Sequence, residues 1–151
     1  MKTFTIGFAG DHAGFELKGQ LIKHVLSLGY SVKDFGCYSS ESCDYPDFAH
    51  PLAEAIESGE CKYGFSVCYT ANGISMTLNK HMGIRAAICW NEELAELARA
   101  HNDANVCSLP AKYISEAEGI KIVDKFLTTE FEGGRHKRRV DKITSYFTDK
   151  K

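Results

Sequence analysis

The sequence predicts an α/β domain with a mostly parallel β-sheet that is covered by helices on both faces. Short apolar runs alternate along the chain with longer stretches of helical periodicity. This alternation is typical of βαβ units joined by right-handed crossovers, which place parallel strands side by side. The chain has 151 residues, of which 44% are hydrophobic and 25% charged. We therefore expect residues 1–151 to form one domain around a single sizeable core.

The first strand is predicted at residues 4–9, a short apolar run that ends at Gly10. The first helix is predicted at residues 15–28, and Gly29 is a typical stop for it. Its apolar residues recur on one face, as a helix against a core requires: Leu21, Val25 and Leu28.

The second strand is predicted at residues 30–35, and a loop follows it. Pro46 suits the first turn of a second helix that runs to about residue 58. Pro51 lies inside that helix, where proline is tolerated only near the start, so the boundary is approximate.

The rest of the chain repeats the same alternation. Further strands are predicted at residues 63–68, 85–89 and 105–109. Further helices are predicted at residues 73–81, 91–101, 115–128 and 135–148. No internal repeat, linker or low-complexity segment interrupts this pattern.

The charge balance argues against nucleic acid and membrane partners. The formal net charge is −2, so the chain lacks the overall basic field of a nucleic-acid-binding protein. No apolar run approaches the roughly 20 residues that a membrane helix needs. The first residues reach Asp11 and His12 too early for the apolar region of a signal peptide, so we expect a cytoplasmic protein.

The six cysteines do not form a recognisable framework. None of them has CxxC spacing or the Cys/His spacing of a zinc site. Without an export signal a disulfide framework is not expected, and five of the six are interpreted as small buried hydrophobes. The sixth, Cys68, ends a strand and is a candidate for chemistry.

Ligands of parallel sheets bind outside the carboxyl ends of the strands, which directs attention to two loops. Asp11 and His12 follow the first strand, where an acid beside a histidine could move protons or bind hydroxyls. The alternative is that Asp11 only caps the first helix.

The stretch SVCYTANGIS, residues 66–75, reads as a strand that passes through a loop into a helix. The N–H groups and positive dipole end of that helix could stabilise an oxyanion or a phosphate. We expect the same field to lower the pKa of the Cys68 thiol.

Two later stretches carry further candidates. In ARAHNDAN, His101 is followed in the sequence by Asn102, Asp103 and Asn105, which makes it a candidate for function. A histidine at such a position is more often a core or capping residue. Arg135 and Arg139 are four residues apart in EGGRHKRRV, on one helix face that could grip a phosphate. The alternative for this basic run is a solvated face or a weak polyanion patch. We expect all these loops to share one end of the sheet.

These stretches, in this order, resemble the type B ribose-5-phosphate isomerase family, which includes galactose-6-phosphate and allose-6-phosphate isomerases. The resemblance covers nearly the whole chain and is carried by GDHAGFELK, DFGCYSSESCDYPDFA, CYTANGIS with NKHMGIRAA, AELARAHNDANV and FEGGRHKRRVDKI. It implies a three-layer, Rossmann-like α-β-α domain with a five-stranded parallel sheet and no metal or organic cofactor. It also implies a homodimer or dimer of dimers, with the site between two subunits.

The resemblance also implies roles for individual residues. Cys68 matches the base that moves a proton between C2 and C1 of the sugar, and His101 matches the residue that assists ring opening. Thr70 and the loop Tyr69, Ala71, Asn72 and Gly73 match the group that holds the enediolate oxygen. The sugar contacts are matched by Asp11, which we count as catalytic, and by His12, Tyr45 and Asn102. The phosphate contacts are matched by Lys112, Arg135 and Arg139.

The chain departs from the family pattern at three positions. Tyr69 and Ala71 replace two glycines of the loop, and Lys112 stands where arginine is common. If position 71 is left-handed, alanine costs about 1–2 kcal/mol there. Asn72 tolerates that conformation better, so the turn is expected either at Ala71 or shifted to Asn72. Tyr69 could narrow the site, stack on a sugar or point away, and lysine at 112 loses the bidentate grip of arginine.

The sequence therefore predicts an isomerase that interconverts ribose 5-phosphate and ribulose 5-phosphate. Two alternatives stay open: isomerisation of a six-carbon phosphate (allose 6-phosphate or galactose 6-phosphate), and a sugar-phosphate-binding homologue that has lost catalysis. Amides of residues 70–74 that converge on one point would favour an enzyme, whereas a carbonyl turned into that point would favour binding only.

Overall fold

Strands and helices alternate along residues 2–150, the part of the chain that this computed structural model describes, until two helices follow each other at the end. The strands are β1 Thr5–Gly10, β2 Ser31–Asp34, β3 Tyr63–Cys68, β4 Ala86–Ile88 and β5 Val106–Pro110. The helices are α1 Phe15–Ser27, α2 Pro46–Glu57, α3 Asn72–Leu78, α4 Glu92–Asn102, α5 Glu116–Thr128 and α6 Arg135–Thr148. Every element predicted from the sequence is present.

The largest boundary error is at the end of α3, which stops at Leu78 rather than at residue 81. The side chain of Asn79 explains this early stop, because it binds the backbone of the next strand instead. Its Nδ2 donates to the carbonyl of Ala86 at 3.0 Å, and its Oδ1 accepts from the N–H of Ala86 at 2.8 Å.

The five strands form one parallel sheet in the order β2-β1-β3-β5-β4. One face packs against α1, α4 and α5 through the larger core cluster, which includes Phe8, Leu21, Phe65, Leu109, Ile122 and Phe126. The other face packs against α2 and α3 through a smaller cluster, which includes Ala9, Leu52, Ile74, Leu78 and Val106. The predicted α/β fold with helices on both faces is confirmed.

Polar side chains define the ends of several helices in the way that their sequences favour. Ser115 and Glu118 form a reciprocal capping box at the start of α5. The side chain of Asn91 accepts from the N–H of Leu94 at the start of α4. At the other end of α4, Asp103 takes the left-handed conformation with φ 47° and pairs with Arg99 at 2.9 Å.

Gly14 lets the start of α1 lie directly against β3. A Cβ at this position would be 2.1 Å from the carbonyl oxygen of Val67, a distance that no side chain can occupy. This close approach holds the loop that contains Asp11 and His12 beside the end of β3.

The parallel sheet has two distinct ends, which we call the carboxyl edge and the amino edge. Gly10, Cys68 and Pro110 are neighbours at the carboxyl edge. Thr5, Tyr63 and Val106 begin their strands at the amino edge. At about 3.3 Å per residue, the five residues of β5 separate the two edges by about 15 Å.

All six cysteines are free thiols, and Cys43 alone among them is not buried. None of the described helices combines the length and the apolar character that crossing a membrane requires.

Candidate active site

A nest of backbone amides surrounds the thiol of Cys68 at the carboxyl edge. Cys68 is 5% exposed. The backbone N–H groups of Thr70, Ala71 and Ile74 lie near enough to its sulfur to lower the pKa of the thiol. The carbonyl of Ala71 points away from this nest, since it accepts from the N–H of Ser75 at 3.2 Å inside α3. Three amides of the loop thus face the sulfur, and the carbonyl of Ala71 is not turned into this space, whereas the N–H of Asn72 donates to Oγ1 of Thr70 at 3.3 Å instead.

The pKa of the Cys68 thiol is raised, contrary to the expectation that the helix terminus would lower it. Burial is the main cause, and the negative charge of Asp11 raises the pKa further. The amides of Ala71, Ile74 and Thr70 do act to lower it, but they do not offset burial. Before substrate arrives, the group at this point is thus a thiol held beside a carboxylate.

The turn remains at position 71. Ala71 has φ 65° and ψ −1°, in the left-handed region, and Asn72 is already the first residue of α3. The expected alternative of a turn shifted to Asn72 is wrong. The amide of Ala71 has to face the sulfur of Cys68 while its methyl group is fully buried, and this arrangement keeps the strained conformation at a cost of about 1–2 kcal/mol.

Asp11 holds the turn that precedes the first helix and also lies beside the thiol. Its Oδ1 accepts from the N–H groups of Ala13 at 3.0 Å and Gly14 at 3.1 Å. The capping interpretation is therefore wrong, because the N-cap of α1 is Gly14 and no side chain caps this helix. Asp11 is nonetheless buried and close enough to Cys68 to raise the pKa of that thiol. One carboxylate thus serves both the fold and the electrostatics of the candidate site.

His12 and Tyr45 line a cavity of about 570 Å³ next to Asp11. The N–H of Cys43 donates to Nδ1 of His12 at 3.3 Å. The ring of Tyr45 lies against α3, because a Cβ on Gly73 would be 2.4 Å from its Cζ. The structure therefore brings these residues to the same edge as Cys68.

Tyr69 is half exposed and turned toward Lys112. The ammonium nitrogen of Lys112 is 5.9 Å from the centre of the Tyr69 ring. The backbone fixes this arrangement, since the N–H of Lys112 donates to the carbonyl of Tyr69 at 3.1 Å. Beside this pair is a cavity of about 600 Å³, lined by Thr70, Asn72, Ile88, Trp90, Pro110 and Tyr113.

The remaining candidates form a second group at the amino edge. His101 ends α4, and its ring stacks on that of His136 with centroids 4.2 Å apart and planes inclined by 9°. Glu132 lies 3.8 Å from His101 and 3.3 Å from His136. Arg135 and Arg139 are exposed on α6, which contacts α4.

Asn102 is exposed at the same end of α4 and lines a cavity of about 300 Å³ with Arg85 and Ile143. Its neighbours in the sequence serve the fold instead. Asp103 pairs with Arg85 and Arg99. Asn105 accepts from the N–H of Arg85 at 2.8 Å and donates to the carbonyl of Gly83 at 2.8 Å.

The expectation that all candidate loops share one end of the sheet is wrong. Helix α4 runs from the carboxyl edge back to the amino edge, so its last residues, His101 and Asn102, lie where β5 begins. Eleven helical residues span about 16 Å, which matches the distance between the edges. Within one chain, His101 and the arginines of α6 are therefore remote from Cys68.

Glu132 and His136 were not among the residues predicted for the site. The available signal was their spacing of four residues across the start of α6, directly beside Arg135. Their contact with His101 depends on the packing of α6 against α4, which the sequence pattern does not specify.

The chain was compared with known protein families and structures. A family described as Ribose/Galactose Isomerase matches residues 6–143. The ribose-5-phosphate isomerase B of Escherichia coli is 41% identical over 140 residues, which cover 93% of this chain and 94% of that protein. A ribose 5-phosphate isomerase from Thermotoga maritima is 44% identical, with a TM-score of 0.93 over 95% of this chain and 99% of that one.

A further structural match contains a ligand. The crystal structure of ribose-5-phosphate isomerase B from Mycoplasma genitalium with bound ribulose 5-phosphate has a TM-score of 0.93 at 40% identity. The match covers 99% of both chains.

Proposed function

Because this chain belongs to the ribose/galactose isomerase family, we propose that it interconverts ribose 5-phosphate and ribulose 5-phosphate. The family inferred from the sequence motifs is confirmed by these matches. The proposed reaction moves a proton between C2 and C1 of the open-chain sugar through an enediolate.

The observation that carries the proposal is the convergence of three amides on Cys68. A carbon acid next to a carbonyl is too weak for an unaided thiol to deprotonate. The protein has to supply a base and to stabilise the negative oxygen that forms. The nest supports this proposal, because its N–H groups favour negative charge beside Cys68. In the proposal these groups and the hydroxyl of Thr70 also stabilise the enediolate oxygen.

Asp11 supports the formation of the base. Its carboxylate raises the pKa of the Cys68 thiol, which keeps the proton on sulfur until substrate binds. We propose that Asp11 accepts this proton when the substrate enters, so that Cys68 can act as a thiolate toward carbon. The transfer leaves the net charge of the pair unchanged, which lowers its cost in a buried site.

The two edges suggest how the complete site is built. We propose a homodimer, or a dimer of dimers, in which the partner subunit's His101, Asn102, Arg135 and Arg139 face Cys68. The separation of about 15 Å between the edges supports this proposal, since one chain cannot join the two groups. Exposed apolar side chains also support an interface: Met76, Trp90, Ile143, Tyr146 and Phe147.

In this arrangement the arginines bind the phosphate and Lys112 adds charge at the carboxyl edge. The partner subunit's His101 assists ring opening, while His12, Tyr45 and Asn102 contact the hydroxyls of the sugar. No step of this proposal requires a metal ion or an organic cofactor.

A six-carbon phosphate is the second candidate substrate. The observation that favours it is the orientation of Tyr69, whose ring is half exposed and faces Lys112. The binding-only alternative has less support, because the carbonyl of Ala71 does not enter the nest.

The test is isomerisation of ribose 5-phosphate, allose 6-phosphate and galactose 6-phosphate by the wild type and by Cys68→Ala. Cys61→Ala is a matched control, since Cys61 is also buried but lies in the loop before β3. We expect turnover of ribose 5-phosphate that is lost in Cys68→Ala and kept in Cys61→Ala. Turnover of a hexose phosphate alone would select the second substrate, and binding without any turnover would contradict an enzyme.

A further inference from the structure

Three potential metal ligands meet at the amino edge of the sheet. They are His101 at the end of α4, Glu132 between α5 and α6, and His136 in the first turn of α6. Oε2 of Glu132 lies 3.3 Å from Nε2 of His136 and 3.8 Å from Nε2 of His101. One ligand atom from each residue lies within 4.8 Å of the other two.

We propose that this triad binds a divalent transition-metal ion such as Zn²⁺, and that the bound ion inhibits the enzyme. Two imidazoles and one carboxylate are a donor set that Zn²⁺ accepts in proteins, with a fourth position left for water. Ligand atoms in a tetrahedral site with bonds of about 2.0–2.1 Å are about 3.3 Å apart. The Glu132–His136 pair already has this separation, the Glu132–His101 pair is at 3.8 Å, and the ligand atoms of the two histidines lie within 4.8 Å of each other.

The stacked rings of His101 and His136 hold their nitrogen lone pairs in nearly parallel planes, so the triad closes around an ion only when the ring of His101 turns. The side chain of Glu132 is 57% exposed and that of His101 38% exposed, so both can adjust without disturbing the core. The backbone of Glu132 is anchored, since its N–H donates to the carbonyl of Ala100 at 3.0 Å. Gly133 and Gly134 follow with φ of 70° and 55°, and their turn directs His136 back toward His101.

Convergence distinguishes this triad from the other histidine clusters of the described residues. His24 contacts one carboxylate, that of Asp124 at 2.6 Å, and so offers two donors. His50, His81 and Glu57 form a series, because His81 contacts His50 through Nε2 at 2.7 Å and Glu57 through Nδ1 at 2.9 Å. The two ring nitrogens of His81 face opposite ways, so these three groups do not surround one point.

The surrounding charge sets the strength of the site. Basic side chains of α6 lie next to the triad in the sequence: Arg135, Lys137, Arg138 and Arg139. Their repulsion of a cation should make binding weaker than in a closed structural zinc site. We therefore expect a reversible, inhibitory site rather than a structural one.

The inhibition follows from ligation of His101. A metal ion on Nε2 removes the lone pair that ring opening requires, and it occupies the space beside the phosphate-binding arginines. The proposed inhibition rests on the proposed function, whereas the proposed metal binding does not.

Binding is tested by titrating the purified chain with Zn²⁺ in competition with a chromogenic chelator. We expect one ion per chain, with affinity reduced at least tenfold in both His136→Gln and Glu132→Gln. His24→Gln and His50→Gln are matched controls and should bind as the wild type does. Thermal melts check that each variant is folded.

Cysteine is a competing ligand, since Sγ of Cys43 lies 4.0 Å from Nδ1 of His12. Co²⁺ separates the two sites, because thiolate ligands add a strong sulfur-to-metal absorption that nitrogen and oxygen ligands lack. The proposal is overturned if the bound Co²⁺ shows this absorption, if His136→Gln and Glu132→Gln bind as tightly as the wild type, or if the wild type binds no ion.

Inhibition is tested by assaying each folded variant with Zn²⁺, relative to its own rate without metal. We expect the inhibitory concentration to rise at least tenfold in Glu132→Gln and to stay unchanged in His50→Gln. Metal binding by a chain that isomerises no sugar phosphate would contradict the proposed function but not the site. Catalysis that Zn²⁺ does not affect would contradict the inhibitory role.

Discussion

The carboxyl and amino edges of the sheet present two different kinds of candidate site. At the carboxyl edge, buried backbone geometry holds Cys68, Asp11 and the amides of Thr70, Ala71 and Ile74. At the amino edge, the candidate residues are histidines and arginines, whose side chains are partly or fully exposed. The groups proposed to stabilise the developing charge are buried, whereas the arginines proposed to hold the phosphate lie on an exposed helix. The two edges should therefore respond differently to substitution.

The largest effect is expected at Gly14, where the carboxyl edge depends on the fold. Gly14→Ala places a Cβ against the carbonyl of Val67 and should reduce the free energy of unfolding by about 3 kcal/mol. Gly19→Ala is the control, because its Cβ meets no atom within 4 Å and should stabilise the helix by about 0.5–1 kcal/mol. Urea unfolding measures both, and equal stability of the two variants would contradict the close approach.

A substitution at the amino edge should reduce activity without reducing stability. Arg139→Ala removes charge-assisted hydrogen bonds to the phosphate and should lower kcat/KM for ribose 5-phosphate by about 10–100-fold, equivalent to about 1.5–3 kcal/mol. Arg138→Ala, one residue away on another face of α6, should change kcat/KM by less than about threefold. Steady-state kinetics and thermal melts distinguish the two, and a loss of stability in Arg139→Ala would mean that this edge also supports the core.

Relief of the strained turn at position 71 should increase the free energy of unfolding by a smaller amount. Ala71→Gly removes the cost of a left-handed alanine but adds backbone entropy to the unfolded chain, so the net stabilisation should be about 0.5–1 kcal/mol. Ala53→Gly, in the interior of α2, should destabilise the protein. If both variants lowered the free energy of unfolding measured in urea, the turn at Ala71 would not be strained.

The smallest change is expected in the titration of Cys68. Asp11→Asn keeps an oxygen for the N–H groups of Ala13 and Gly14 but removes the negative charge that raises the pKa of this thiol, so that pKa should fall. Alkylation of Cys68, followed against pH by peptide mass spectrometry, should then reach half its maximal rate at a lower pH. Asp124→Asn is the control, because it removes a carboxylate on the surface. An unchanged midpoint in Asp11→Asn would mean that the charge of Asp11 does not affect the pKa of the Cys68 thiol.

The fold was predictable because its signals are local. Apolar runs, Pro46 and Gly29 placed the strands and helices within one or two residues of their observed bounds almost everywhere. The end of α3 was missed because Asn79 leaves the helix to bind β4, and a single-residue pattern does not reveal such a partner.

The candidate site was predictable in its members but not in its arrangement. Cys68, Asp11 and Tyr45 do lie together, as the rule for parallel sheets indicates. His101 does not join them, because a crossover helix returns its last residues to the opposite edge. Its contacts with Glu132 and His136 depend on how α6 packs on α4, and the raised pKa of Cys68 depends on burial, so neither could be read from spacing.

The central claim is that the working site combines the carboxyl edge of one chain with the amino edge of another. It is tested most directly by mixing two inactive variants, Cys68→Ala and His101→Ala, with refolding or co-expression to form mixed dimers. If the site is shared, a mixed dimer has one intact and one doubly defective site, so a random mixture should recover about one quarter of the wild-type activity. No recovery, in a sample shown to contain mixed dimers, would mean that each chain builds its site alone and would contradict the account.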